Sequence, residues 1–237
     1  MLSRRILSAF AVFAVILSMT APSVSAQINA EGSLKFTFGL PQGEFADKLD
    51  ANGFGGNIDG AIGFPGSPLL VGADLGFMIY GHERRNEPFS TTIPDVTVDV
   101  ITDNSLATGH LFLRLKPNLP GIQPYADALF GFKYFFTETR IESEQFDQDE
   151  ITRSTNFDDT VLSYGFGGGV KISLFTPTGD NGPGGVYLDL GAKYLKGPEA
   201  SYLQEGSIRR QNGQVTFDVD QSKTDILLIQ FGIGLTL

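Results

Sequence analysis

Leu34-Lys35-Phe36-Thr37-Phe38-Gly39-Leu40 changes character at every step. Leu34, Phe36, Phe38 and Leu40 are large and apolar, whereas Lys35, Thr37 and Gly39 are polar or small. Side chains of an extended chain point alternately to two faces. Period two therefore gives one greasy face and one polar face, the signature of a β-strand.

The same alternation returns along the chain at 54–64, 69–80, 107–116, 125–139, 161–174, 186–195 and in a last strand that runs to Leu237. In 125–139, for example, Ala126, Ala128, Phe130, Phe132, Tyr134 and Phe136 oppose Asp127, Gly131 and Lys133. Eight strands are expected, an even number that suits a closed single-chain barrel. Their lengths match the roughly 9–11 residues of a tilted membrane-crossing strand. Asp95–Val100 and Gln214–Asp220 carry enough β-character either to lengthen hairpins or to add a pair, so ten strands are the alternative.

Connections alternate as well. Pro65-Gly66-Ser67-Pro68, Pro117-Asn118-Leu119-Pro120-Gly121 and the looser Thr176–Gly185 read as turns. The connections 41–52, 81–106, 140–160 and 196–223 are long. Short turns at one end and long loops at the other are the asymmetry of a barrel in an outer membrane, with the turns periplasmic.

Alternation alone does not say which face looks inward, since a soluble barrel also alternates. Two features favour an inverted arrangement, apolar outside. The apolar face is uniformly large and would overfill a small barrel. The polar face is rich in glycine, which suits a crowded interior. Inversion sends Lys35, Asp59, Asp74, Arg114, Asp127, Lys133, Lys171, Asp189 and Lys193 into the lumen. Opposed charges in a lumen only wide enough for its own side chains predict a salt-bridge plug. A narrow ion path is the alternative. Asp225 falls on the lipid-facing parity and is expected at a rim.

The N-terminus fits secretion. Arg4 and Arg5 precede an apolar run from Ile6 to Met19, and Ala21-Pro22-Ser23-Val24-Ser25-Ala26 offers a small-residue cleavage site. The apolar run falls short of the roughly 20 residues a spanning helix needs. Residues 1–26 are expected to be a signal peptide and 27–237 the barrel. Cleavage removes two arginines and no acid, so a formal charge of −10 becomes more negative. An acidic chain argues against nucleic acid as a partner. Without cysteine there is neither a disulfide framework nor a thiolate metal site.

Phe38-Gly39-Leu40-Pro41-Gln42-Gly43-Glu44-Phe45, Gln123-Pro124-Tyr125-Ala126-Asp127 and the closing Leu228-Ile229-Gln230-Phe231-Gly232-Ile233-Gly234-Leu235 resemble stretches of small outer-membrane β-barrels of the outer-membrane protein A/X group. The resemblance covers nearly all of the expected mature chain. It implies an all-β, up-and-down antiparallel transmembrane barrel located in the cell outer membrane. Its implied partners are outer-membrane lipids, lipopolysaccharide and the barrel assembly machinery. The last residue, Leu237, departs from the aromatic residue usual in that group. The group contains structural, adhesive and enzymatic members, so the fold does not fix the task.

Candidate chemistry is sparse. A lipid-modifying enzyme needs a histidine beside a serine nucleophile or an acid. His110 has lumen parity, with Asp103 and Ser105 nearby in sequence, and His82 ends the third strand. The acidic run Glu142, Glu144, Asp147, Asp149, Glu150, followed by Asp158 and Asp159, has no calcium-loop spacing and reads as solvated charge. Gly165-x-Gly167-Gly168-Gly169 lacks the helix and lysine of a phosphate loop. Arg84-Arg85 and Arg209-Arg210 are basic pairs in expected extracellular loops, suited either to lipid A phosphates or to salt bridges with the acidic loop. The expected role is therefore non-enzymatic and cofactor-free, structural or surface-interacting, with the long loops facing an extracellular ligand. A narrow porin is the alternative, and a lipid-modifying enzyme stands behind it.

Overall fold

The computed structural model describes residues 29–49, 51–63, 66–90, 93–117, 119–143, 150–175, 184–211 and 214–236. The expected signal peptide, most of the acidic run between Glu142 and Glu150, most of the Thr176–Gly185 turn, and Leu237 lie outside the described residues.

Among the described residues, twelve strands and one short helix follow in chain order: β1 (Asn29–Pro41), α1 (Glu44–Lys48), β2 (Gly53–Gly63), β3 (Leu69–Ser90), β4 (Ile93–Leu115), β5 (Ile122–Ser143), β6 (Glu150–Phe175), β7 (Val186–Lys196), β8 (Glu199–Tyr202), β9 (Ile208–Gln211), β10 (Gln214–Phe217), β11 (Asp220–Lys223) and β12 (Ile226–Thr236). Eight of them close a ring in the order β1-β12-β7-β6-β5-β4-β3-β2, each antiparallel to its neighbours. β8 pairs with β11 and β9 with β10 in two small ladders outside the ring. The ring therefore has eight strands, not ten. Asp95–Val100 lengthens β4, and Gln214–Asp220 contributes to the small ladders.

The faces are inverted relative to a soluble barrel. Leu111, Phe130 and Phe166 are 69%, 61% and 65% exposed on the outside, while Lys35, Arg114, Lys133 and Asp189 are fully buried inside. Burying charge and exposing apolar surface both cost free energy in water. The arrangement is stable where the surroundings are hydrocarbon, as across a membrane.

Two expected loops are strands. The segments 81–106 and 140–160 belong largely to β3, β4, β5 and β6, which rise beyond the ring as a four-stranded sheet. Beyond the lipid neither face is apolar, so the alternation that announces a strand fades although the ladder continues. β-Branched residues such as Thr97, Val98, Val100, Ile101 and Thr102 carry it. Register shifts between Ile79 and Gly81 and between Thr137 and Glu138 mark where this sheet leaves the ring.

Glycines on the inner face make room for large inward side chains. A Cβ on Gly72 would fall 2.4 Å from the Phe112 ring. On Gly169 and Gly191, which face each other across β6 and β7, it would fall 2.7 and 2.5 Å from the Tyr125 hydroxyl. Gly169 ends the glycine-rich run of β6, which is a packing feature of the lumen.

Candidate functional site

The inner parity of the eight ring strands brings the charged residues to one axis. Toward the turn end, Glu31 is a hub. It accepts hydrogen bonds from Arg114 (2.8 Å) and Lys171 (2.6 Å) and pairs with Lys116. Arg114 also donates bidentately to Asp127, at 2.8 and 2.9 Å. Its guanidinium lies between the rings of Phe112 (4.7 Å) and Tyr125 (4.3 Å). Such a fork fixes both partners more tightly than a point charge does.

Lys35 lies between Asp59, with which it is in contact, and Asp189 at 3.3 Å. Ser33 donates to Asp59 at 2.9 Å, and the Tyr125 hydroxyl donates to Asp189 at 2.7 Å. Lys171 donates to the Tyr187 hydroxyl, which donates in turn to the Gly32 carbonyl, each at 3.1 Å. Lys193 pairs with Asp74, and His110 Nε2 lies 2.9 Å from Ser163 Oγ.

Lys133 stands apart. Its ammonium donates to the backbone carbonyls of Leu195 (3.1 Å) and Thr224. These are the two feet of the connection between β7 and β12. One buried cation thus ties both ends of the strap formed by β8–β11.

The lumen residues read from sequence are therefore all buried, and eight of the nine meet an opposite charge. Glu31 joins them, giving among the described residues a balance of five buried positive and five buried negative side chains along the lumen. The parity Lys35, Ser33, Glu31 carries the signal, but Glu31 precedes the apolar alternation that marks the strand.

Above these charges the mouth is sealed by an apolar cap. Phe45 of α1 sits edge-on to Phe135 and Tyr202, with ring centroids 5.9 and 5.2 Å apart, and Tyr80 packs on Phe135 at 6.2 Å. Leu106, Leu195 and Leu203 are buried around them. Neither the helix nor this cap is announced by any local pattern in the sequence. The strap is held across the mouth by Ser201 N to Asp159 (2.8 Å), Gly206 N to Glu83 (3.0 Å), Arg85 to the Ile208 carbonyl (3.2 Å) and Tyr80 to the Leu203 carbonyl (3.2 Å). Lys223 pairs with Glu44 at 2.7 Å, joining strap to helix. The hydrogen bond from Lys223 holds the Glu44 carboxyl below its usual range, and Glu44 in turn raises the Lys223 ammonium.

A cavity of about 490 Å³ opens at the turn end beside Glu31, Ser67, Lys116 and Gln123. Farther in, a cavity beside Asn57, Thr108 and Gln230 has about 10 Å³, room for one water at most.

The remaining candidates fall elsewhere. His82 bonds Asp103 at 2.6 Å on the outside, so Asp103 is not a partner of His110. His110 and Ser163 are both buried in the packed lumen. Asp225 precedes β12, accepts from the Tyr194 hydroxyl (3.1 Å) and the Gly197 amide (3.3 Å), and lies at the mouth end of the ring. The basic pair Arg84-Arg85 splits, Arg84 outward to Asp99 (2.5 Å) and Arg85 inward to the strap. Among the described residues, no group of three His, Asp or Glu side chains is placed to hold a metal ion.

A closed antiparallel ring with an apolar outside, a charged inside, short turns at one end and tall hairpins at the other defines an eight-stranded outer-membrane β-barrel. By that pattern the turn end is periplasmic and the capped mouth extracellular. No protein-family model matches the chain, and no curated protein matches its sequence. Among solved structures it is similar to the surface protein NspA of Neisseria (11% identity, 89% of this chain and 97% of that one, TM-score 0.40). It is also similar to the attachment invasion locus protein Ail of Yersinia pestis (14%, 90% and 100%, 0.38) and to a major outer membrane protein of Thermus thermophilus (15%, 88% and 99%, 0.42). The ring and its inverted faces by themselves define the barrel.

Proposed function

We propose that this chain is a non-enzymatic outer-membrane barrel with a sealed lumen, working through its extracellular sheet and strap as an interaction surface. The observation that carries the reading is the double seal, a compensated ion network below and an apolar cap above. Parting the network exposes buried charges at several kcal/mol each, so transient opening of a conducting path is disfavoured. The histidine nearest a hydroxyl is inside that seal, which argues against lipid hydrolysis. The sheet of β3–β6 is where side chains of both signs stand clear of the lipid.

Planar-bilayer recording of the refolded protein tests the reading. A sealed barrel gives a baseline without discrete openings. Regular unitary steps support the narrow-channel alternative instead, with the cavity beside Glu31 as its periplasmic entrance. Hydrolysis of outer-membrane lipid that is lost in His110→Ala or Ser163→Ala would support the enzymatic one.

A further inference from the structure

The turn end holds the cavity of about 490 Å³, lined among others by Asn29, Glu31, Ser67, Leu70, Lys116 and Gln123. Small-molecule sites span about 300–1,000 Å³. Its floor is the ion network, so in a sealed barrel it is a blind pocket. Lys116 is the cation it presents. The Lys116 backbone N–H donates to the Pro68 carbonyl at 2.7 Å, which fixes the chain just past β4. The ammonium spends one N–H on Glu31 and is 14% exposed, whereas Glu31 is 2% exposed and is also engaged by Arg114 and Lys171. This layer sets Arg114, Lys116 and Lys171 against Glu31 and Asp127, three positive charges against two negative. The next acids inward, Asp59 and Asp189, share Lys35, and Asp59 stands 3.8 Å from Arg114. The two layers together balance, with the negative surplus inside and the positive surplus at the pocket. Neutral donors surround Lys116. Ser67 Oγ accepts from the Leu69 N–H at 3.1 Å and keeps its own O–H to donate. The side-chain amides of Asn29 and Gln123 bond no other group among the described residues.

We infer that this pocket is a binding site for a small carboxylate with a hydrogen-bonding body, as found in the free carboxyl end of a peptide or in a sugar acid. The carboxylate takes the spare N–H groups of Lys116 in charge-assisted bonds. Ser67, Asn29 and Gln123 bond the body and fix its orientation. A cation is repelled by the positive surplus at the floor. A purely apolar ligand desolvates these polar groups without giving them partners, which costs free energy. The pocket opens at the turn end, so its ligand arrives from the periplasmic side. It lies at the opposite end of the barrel from the extracellular sheet and does not rest on that sheet's role.

The test compares matched acids and neutral analogues. The barrel is refolded in detergent micelles, and heat-modifiable gel mobility reports its fold independently of binding. It is titrated with N-acetyl-trialanine and the C-terminal amide of that peptide, and with glucuronate and glucose, binding being read by ligand-detected NMR. At least one acid is expected to bind tighter than its neutral analogue by on the order of tenfold. A stronger hold on the peptide acid assigns a peptide terminus, and a stronger hold on glucuronate assigns a sugar acid. Lys116→Gln loses the preference for the acid while keeping its mobility shift. Lys116→Arg retains the preference, and Arg209→Gln, at the far end of the molecule, leaves it unchanged. Equal binding of acid and neutral analogue, no binding of either acid, or an undiminished preference in Lys116→Gln overturns the inference. Should Lys116→Gln lose its mobility shift, the wild-type comparison of acid with analogue decides alone.

Discussion

Glu31 joins three cations, Arg114, Lys116 and Lys171, so its charge is shared across the turn end of the network. Glu31→Gln removes the negative charge and leaves buried cations undercompensated, a change that typically costs about 3–5 kcal/mol. Urea unfolding of the refolded barrel should show a lower midpoint with an unchanged slope. An unchanged midpoint would mean that the network is not the brace described above. The nine other charged positions were readable because each sits between two apolar neighbours or within a strongly alternating run. Glu31 stands between Ala30 and Gly32, where no apolar flank announces the parity. Phe45 was equally opaque. It follows a turn and occupies a one-and-a-half-turn helix, and nothing local says that its ring is driven into the mouth. Phe45→Ala should cost about 3–5 kcal/mol through the cavity it leaves among Phe135 and Tyr202, seen in the same urea experiment.

The strap between β7 and β12 is held by the buried Lys133, by Tyr202 and Leu203 in the cap, and by hydrogen bonds and ion pairs at the mouth. The Glu44–Lys223 pair is exposed on both sides, so its contribution is small and local. Its pH dependence has a definite sign. Glu44 is held below its ordinary 4.5, so the bond is present at neutral pH and is lost as pH falls through that lowered value. Lys223 is raised above its ordinary 10.5, so its share is complete at neutral pH and is lost only as pH rises through the raised value. Limited proteolysis should cut the strap faster once pH has fallen below the lowered Glu44 value than at pH 7, with the ring intact. Glu44→Gln should flatten that difference. The lengths of β3–β6 were the part of the element scale least legible in sequence. Strand propensity persists through Thr97–Thr102, but the greasy face ends at the lipid boundary and the periodic signal ends with it.

At the scale of the whole molecule, the inverted faces decide everything else: where the chain resides, why the lumen needs paired charges, and why the loops are the exposed surface. The fold was legible because a membrane barrel writes its faces into the sequence at period two. The seal at the mouth was not, because it is assembled from α1, β5 and β8, which are distant in sequence. The most direct test uses the absence of cysteine, which makes any introduced thiol unique. Single cysteines placed in turn from Ala126 to Phe132 on β5 are labelled with a fluorophore in lipid vesicles and quenched with brominated acyl chains. The barrel described here predicts strong quenching at 126, 128, 130 and 132 and weak quenching at 127, 129 and 131. The opposite phase, or no alternation, would contradict it.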